Sequence, residues 1–405
     1  MKKRDFLIVA AFVFTATIVV FMATNRKTGA EVEPLVIEPL TESWEKAIEY
    51  QEIPEGLGSL SAETCGACHQ DHYAEWKTST HAHAWTDMQF QAEIKKESSP
   101  YLCINCHIPL ENQQEFIVDG LIEGDVYRPS QKKNYRWDVN LQKEGITCAA
   151  CHVRNNAVIG PTGTDKAPHK TVKDPKFLSE TLCISCHNAV AAVTPEIACA
   201  FETGDEWKAG PFANEKNCIA CHMEEVTRSV VPGYPERKSH YHSFPGSGIP
   251  KVTGAETTSL NGFEFYPGEL KSHYRSNQKI QYRFDVKNEH AGHRLPTGDP
   301  ERFVLFKFFV VNEKGETVWK KTERIGEKWQ WYPTAKKLED NNLDPKERRS
   351  FELLIDELPI GSYTFNVKVT KHRMDEKTAA FNKLTERYPM FINLFDSHYS
   401  FRVMN

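Results

Sequence analysis

The sequence predicts an α + β multidomain protein: an N-terminal membrane segment, a mostly helical and loop domain rich in cysteine, and a C-terminal all-β sandwich. Three observations predict it. An unbroken apolar run opens the chain, every cysteine lies between residues 61 and 245, and a period of two in apolar residues sets in only beyond residue 255. A length of 405 residues accommodates two or three such units.

The first element is the apolar run Phe6 to Ala23, preceded by Lys2-Lys3-Arg4 and closed by Asn25-Arg26-Lys27. A basic stretch ahead of a hydrophobic segment is an export signal. Its 18 residues are near the lower limit for a spanning helix, and no clean small-x-small cleavage site follows. Residues 1–24 are therefore expected to be an uncleaved signal anchor that contacts the membrane. The basic cluster stays cytoplasmic and the rest is exported to the periplasmic side of the cytoplasmic membrane. Cleavage at the weak Thr28-Gly29-Ala30 site, with secretion, is the alternative. A lipid anchor is not expected, because the first cysteine is Cys65. Residues 25–60, rich in Glu and Pro, read as a linker with a short helical patch from Trp44 to Tyr50.

Residues 61–250 form the second unit. The chain has 11 Cys and 16 His, and five times it reads Cys-x-x-Cys-His: Cys65, Cys68 and His69; Cys103, Cys106 and His107; Cys148, Cys151 and His152; Cys183, Cys186 and His187; Cys218, Cys221 and His222. Two thiols three residues apart on one turn reach both vinyl groups of a haem and form thioethers. The His that follows points its imidazole at the iron from the same side. Zinc sites use Cys-x-x-Cys pairs without needing His after each pair, and disulfides do not need it either. At the His content of this chain, five such adjacencies by chance are on the order of one in ten million. The expected cofactor is therefore heme c, five covalently bound groups, in a mostly helical/loop multihaem cytochrome domain. Cys199 is left over and is expected to be a buried structural thiol, with a reactive thiol near a haem as the alternative.

Successive motifs are 38, 45, 35 and 35 residues apart. So little chain per haem leaves no room for a private protein core around each. The haems are expected to pack against one another, close enough for electrons to hop between them. An apolar fraction of only 40% agrees with porphyrin serving as interior.

The sixth ligand of each iron separates a carrier from an enzyme, since a second His gives a closed low-potential site and an open position binds substrate. Eleven His lie outside the motifs, more than the five needed. His81 is the first candidate, with His83 as competitor. His242 follows, with His240 as competitor. His169 lies between the third and fourth motifs. His293 sits in the Gly- and Pro-bounded loop Asn288 to Gly298, which can place one side chain accurately. The alternative for any of them is a solvated or structural histidine. Met223 reads as packing and Met88 as a weaker ligand candidate.

Residues 255–405 lack cysteine. Ile280, Tyr282, Phe284 and Val286 alternate with polar residues, as do Phe351, Leu353 and Ile355, then Tyr363, Phe365, Val367 and Val369. The apolar run Phe303 to Val311 ends at Asn312-Glu313-Lys314-Gly315, a hairpin turn. Short strands between turn signals predict a β-sandwich.

The Cys-rich unit resembles the multihaem cytochrome family that includes the tetrahaem electron carrier of nitrifiers. The matching residues are Cys65 to His69, Tyr73, Trp76, Ser79 and His81-Ala82. Gly145-Ile146-Thr147 before Cys148 matches too, as does Cys218 to Met223 leading to His242-Ser243-Phe244-Pro245-Gly246. The resemblance covers about residues 61 to 245. It implies a distal-ligand role for His81 and haems stacked in parallel and perpendicular pairs. A fifth motif and the β-domain depart from the tetrahaem member. The segment Ala291 to Gly298 resembles one that follows haem domains in other large exported cytochromes. Related nitrite reductases carry Lys in place of one motif His, and here all five motifs end in His.

The expected function is a membrane-tethered electron relay in a respiratory chain, with redox proteins or a membrane quinol dehydrogenase as partners. An oligomer or cytochrome array is a further possibility, docked through the β-domain. The alternative is a multihaem oxidoreductase acting on a small nitrogen or sulfur compound at a five-coordinate haem. With 50 basic against 55 acidic residues, a formal net charge of −5 and no block of one sign, no nucleic-acid partner is expected.

Overall fold

A computed structural model describes residues 35–96, 100–194, 197–252, 254, 260–331, 333–384 and 387–405. The expected membrane segment, residues 1–24, lies outside them. Among the described residues no helix is long and apolar enough to cross a membrane.

The Cys-rich unit is a mosaic of short helices and small sheets. Strand β1 (Ile37–Glu38) pairs antiparallel with β2 (Phe116–Ile122), which pairs with β3 (Pro129–Lys133). Strands β4 (Val153–Arg154), β5 (Ala157–Gly160) and β6 (Thr171–Lys173) form a second sheet. Two hairpins follow, β7 (Ala189–Thr194) with β8 (Ile197–Phe201), and β9 (Glu225–Arg228) with β10 (Arg237–His240). The sequence shows no lasting strand pattern here because these strands are too short to establish a period.

The segment expected to be a linker is a correction. Leu40 packs with Tyr101, Leu102 and Leu121, β1 pairs with β2, and Ile48 bridges to Leu110. Residues 35–60 thus form a wall of the domain. Their Pro and Glu content limits regular secondary structure and leaves single apolar side chains free to pack. The patch expected to be helical is one 3-10 turn, Ser43–Glu45, where the Glu45 carboxylate accepts from the Thr41 and Glu42 amides at 2.7 and 2.9 Å.

The C-terminal unit is a two-sheet β-sandwich. One sheet orders β11 (Phe263–Pro267), β13 (Ile280–Asn288) and β18 (Arg348–Ile355). The other orders β12 (His273–Arg275), β20 (Phe391–Met404), β19 (Gly361–His372), β14 (Phe303–Asn312) and β15 (Thr317–Gly326). A small hairpin joins β16 (Lys328–Gln330) to β17 (Lys336–Glu339). All pairings within the two sheets are antiparallel except β12 with β20. The alternating rows read from the sequence face inward: Phe284, Val286, Phe365, Val367 and Val369 are fully buried. Each such side chain contributes about 1.5–3 kcal/mol by burial. The turn between β14 and β15 forms as expected, with the Asn312 side-chain oxygen accepting from the Lys314 and Glu316 amides at 3.0 Å and Gly315 at φ +78.

Candidate cofactor-binding site

Each motif occupies the end of a short helix. The helices Tyr101–His107, Cys148–His152, Glu180–His187 and Cys218–His222 all terminate on the motif His, and the first motif spans Ala62–Gly66 and the turn before Gln70–Lys77. Positions i, i+3 and i+4 of a helix share one face. Both thiols and the imidazole of a motif therefore present the same side. Ending the helix on the His frees its ring from the next turn.

The ring nitrogens are fixed. Nδ1 of His69 bonds the Val230 carbonyl at 3.0 Å, that of His107 the Ala84 carbonyl at 2.6 Å, that of His152 the Ile159 carbonyl at 2.9 Å and that of His222 the Pro245 carbonyl at 2.7 Å. A carbonyl only accepts, so Nδ1 carries the proton and Nε2 keeps the lone pair that a metal needs. His242 and His293 follow the same rule, with Nδ1 at 2.9 Å from the carbonyls of His240 and Arg294. Burial lowers the basicity of His69, His107, His152, His242 and His293. It pushes His81 and His242 down to about 3, and His107, His187 and His293 down to about 4.

Two imidazoles on opposite sides of one metal, each bonded at about 2 Å, have ring centroids about 6 Å apart. The structure brings His152 and His242 to 6.1 Å, His81 and His187 to 6.3 Å, and His222 and His293 to 6.3 Å; His69 and His72 also lie at 6.0 Å, but edge-on at 85° and only three residues apart in the chain. Three of the four distal candidates thus lie at that separation from a motif histidine, each of a different motif. The fourth, His169, lies within electrostatic reach of His69, and its Nδ1 is buried with no protein partner. Gly56 seats that loop, since at φ +88 an added Cβ would stand 1.8 Å from the Pro168 carbonyl oxygen. His81 is braced by its own carbonyl, which accepts from the Ile146 amide at 3.0 Å, and by the Phe244 ring at 4.4 Å.

The competitor His240 is held by the same kind of bond as the assigned rings. His240 Nδ1 bonds the Met223 carbonyl at 2.6 Å. His72, a residue sequence reasoning passed over, packs edge-on to His242 at 4.8 Å and bonds Ser239 at 2.9 Å. His107 differs from the other motif histidines. The ring stacked on it is Phe90, at 3.6 Å, and no second imidazole stands at ligand separation from it among the described residues. Lys251, Asp87 and Tyr388 lie near it instead: Lys251 pairs with Asp87, and Tyr388 donates to Asp87 at 2.6 Å.

Cysteines of different motifs meet. The Cys65 and Cys148 thiols lie close enough to shift one another's acidity, as do Cys183 with Cys218 and Cys106 with Cys186. Each pairing lowers one thiol and raises the other where both shifts resolve: Cys65 falls and Cys148 rises, Cys218 falls and Cys183 rises. Cys151 also feels Cys186. The five motifs therefore form one connected cluster. No described cysteine forms a disulfide, and no group of three or more metal-ligating side chains converges among the described residues. The donor set suits a prosthetic group held between paired thiols and imidazoles. The side chain of Cys199 lies outside those described.

Comparison with known proteins agrees with this geometry. The family model described as "Cytochrome c554 and c-prime" matches residues 64–123, and that described as "Cytochrome c7 and related cytochrome c" matches residues 133–223. No curated protein sequence matches. Among solved structures, the chain is similar to a penta-heme cytochrome c552 from Thermochromatium tepidum, at 17% identity over 86% of this chain and 100% of that one, with a TM-score of 0.60. The CARDB domain of the PF1109 protein from Pyrococcus furiosus aligns over 35% of this chain and 85% of that one, at 15% identity and a TM-score of 0.19. The C-terminal domain of wzt aligns over 36% of this chain and 75% of that one, at 10% identity and a TM-score of 0.21. The first likeness shows the fold, and the other two scores are too low to bear on it. Residues 64–123 and 133–223 thus carry multihaem c-type cytochrome domains, whose families imply covalently bound heme c, and they are followed by a C-terminal β-rich region.

Proposed function

We propose that the protein is an exported pentahaem cytochrome, tethered to the periplasmic side of the cytoplasmic membrane by residues 1–24. It relays electrons through closely packed haems, between a membrane quinol dehydrogenase or another redox protein and an acceptor. The observation that carries the relay is the proximity of histidines of different motifs and cysteines of different motifs in one cluster, because anchors that lie close bring the groups they hold close. In this reading His69, His107, His152, His187 and His222 are the proximal ligands. His242 stands opposite His152, His81 opposite His187 and His293 opposite His222, supported by their 6.1–6.3 Å separations. His169 serves the iron of His69. Bound haem supplies one-electron exchange. The chain fixes His69, His107, His152, His222, His242 and His293 by their Nδ1 bonds to backbone carbonyls.

The test is a reductive titration of the holoprotein with a one-electron donor. The relay reading expects every haem to reduce as one exchanging set, without turnover of nitrite, hydroxylamine or sulfite. A haem class that exchanges no electrons with the rest contradicts it.

One observation favours a second reading, an oxidoreductase acting on a small nitrogen or sulfur compound. It is the absence, among the described residues, of an imidazole opposite His107, beside the buried Lys251, Asp87 and Tyr388. Turnover of one of those substrates in the same titration selects this reading.

A further inference from the structure

The inner face of the five-stranded sheet changes character at one end. On β14 the inward row is Val304, Phe306, Phe308 and Val310, and Arg302 continues its parity just before the strand. On β19 the inward row is Tyr363, Phe365, Val367 and Val369, and Lys371 and Arg373 continue it. The rows are in register, with Phe306 opposite Val369 and Val304 opposite Lys371. Three cations thus take positions that the pattern assigns to core. A fourth joins them from the segment between the two units. Arg373, only 3% exposed, donates to the carbonyls of Ile249 and Pro250 at 3.0 Å, and the next residue is Lys251.

Cations taken out of water require anions. Lys251 pairs with Asp87. Arg302 donates to the Thr297 carbonyl at 3.1 Å, and Asp299 and Asp87 are the carboxylates that favour its charge. Burial and Arg302 both oppose the charge of Lys371, which is pushed down to about 8. Burial likewise lowers Lys251 to about 8. Asp87 and Asp299 are thus the carboxylates that face Lys251 and Arg302, while Arg373 is held by the carbonyls of Pro389, Ile249 and Pro250 and by the Tyr388 ring. The same cations lie within electrostatic reach of three imidazoles assigned to iron: Lys251 of His107, Arg302 of His187 and Lys371 of His293.

We propose that this cationic end of the sandwich, Arg302, Lys371 and Arg373 with Lys251, binds the propionate carboxylates of the haems held at His107, His187 and His222. The β-domain then clamps the haem array and sets its potentials, since positive charge beside a haem disfavours the oxidised iron. Guanidinium and ammonium groups suit carboxylates, the former in paired hydrogen bonds. This inference rests on the haem reading of the motifs.

The experiment compares wild-type holoprotein with Arg302→Gln and Lys371→Gln by spectroelectrochemical titration, with haem quantified as the pyridine haemochrome. Absence of haem from the wild type refutes the haem reading itself, an outcome distinct from any change in potential. With haem content retained, the reduced-to-oxidised ratio of at least one haem should fall about tenfold at fixed ambient potential, 59 mV for a one-electron couple. Arg302→Lys, which restores the charge, should recover most of it. Unchanged potentials in both Gln variants overturn the proposal. So does loss of nitrite or sulfite binding at unchanged potentials, which assigns the cations to a small anion. Should the variants lose haem, a crystal structure of the wild-type holoprotein decides: a propionate oxygen within about 4 Å of Lys371 or Arg302 supports the proposal, and both cations beyond that distance from every propionate overturn it.

Discussion

His152 and His242 lie 90 residues apart in sequence, yet their rings stand 6.1 Å apart with 31° between their planes. Nδ1 of each is tied to a backbone carbonyl at 2.9 Å. Removing His242 should leave one iron with a single strong ligand. His242→Ala is expected to convert one haem from low spin to high spin in the low-temperature EPR spectrum, while His240→Ala changes nothing. An unaltered low-spin spectrum in His242→Ala refutes the pairing.

The iron of His107 should behave differently from the others. Phe90 covers the face of that imidazole and no second imidazole faces it among the described residues. The oxidised holoprotein is expected to show a high-spin signal from about one haem in five and to bind one equivalent of cyanide. An entirely low-spin spectrum that cyanide leaves untouched contradicts this.

The β-domain should be stable through its aromatic centre. Phe284 is fully buried, with Phe306, Phe308 and Phe395 within 6.1 Å of its ring. Phe284→Ala is expected to cost about 3–5 kcal/mol. Denaturant unfolding followed by tryptophan fluorescence measures it, and a loss below about 1 kcal/mol would place the core elsewhere.

Glu301 gives the fold a pH dependence on the alkaline side. Burial, and then Asp299, Glu93 and Asp375, hold its carboxyl up at about 9, with Lys96 opposing. The folded value exceeds the unfolded one, so this contribution is fully present below about pH 4.3 and is lost as pH rises toward 9. Glu301→Gln should therefore match the wild type in melting temperature at pH 5 and exceed it increasingly from pH 7 to 9. A constant difference across that range rejects the assignment.

Much of this was legible in the sequence. The Cys-x-x-Cys-His spacing names its own chemistry, because few other tasks require two thiols and an imidazole on one turn. The rows Ile280 to Val286 and Tyr363 to Val369 disclose inward faces because a sandwich strand is half buried. The pairing of distal histidines was not legible. His81 precedes the motif of His187 by about 100 residues, and loop closure over that distance leaves no periodic trace. The wall built by residues 35–60 was hidden for a similar reason: Leu40 and Ile48 are single apolar residues in a polar stretch, and their partners lie beyond residue 100. Lys371, the next position on the row that ends at Val369, was passed over. Its meaning emerges only where Arg302 and Arg373 meet it from the neighbouring strand and the following turn.

The measurement that bears most directly on the central claim is the intact mass of the purified holoprotein under denaturing conditions. A covalent increment of five haems over the polypeptide is the predicted result. A mass lacking one or more of them, with free thiols in the corresponding Cys-x-x-Cys-His motif, would contradict the account.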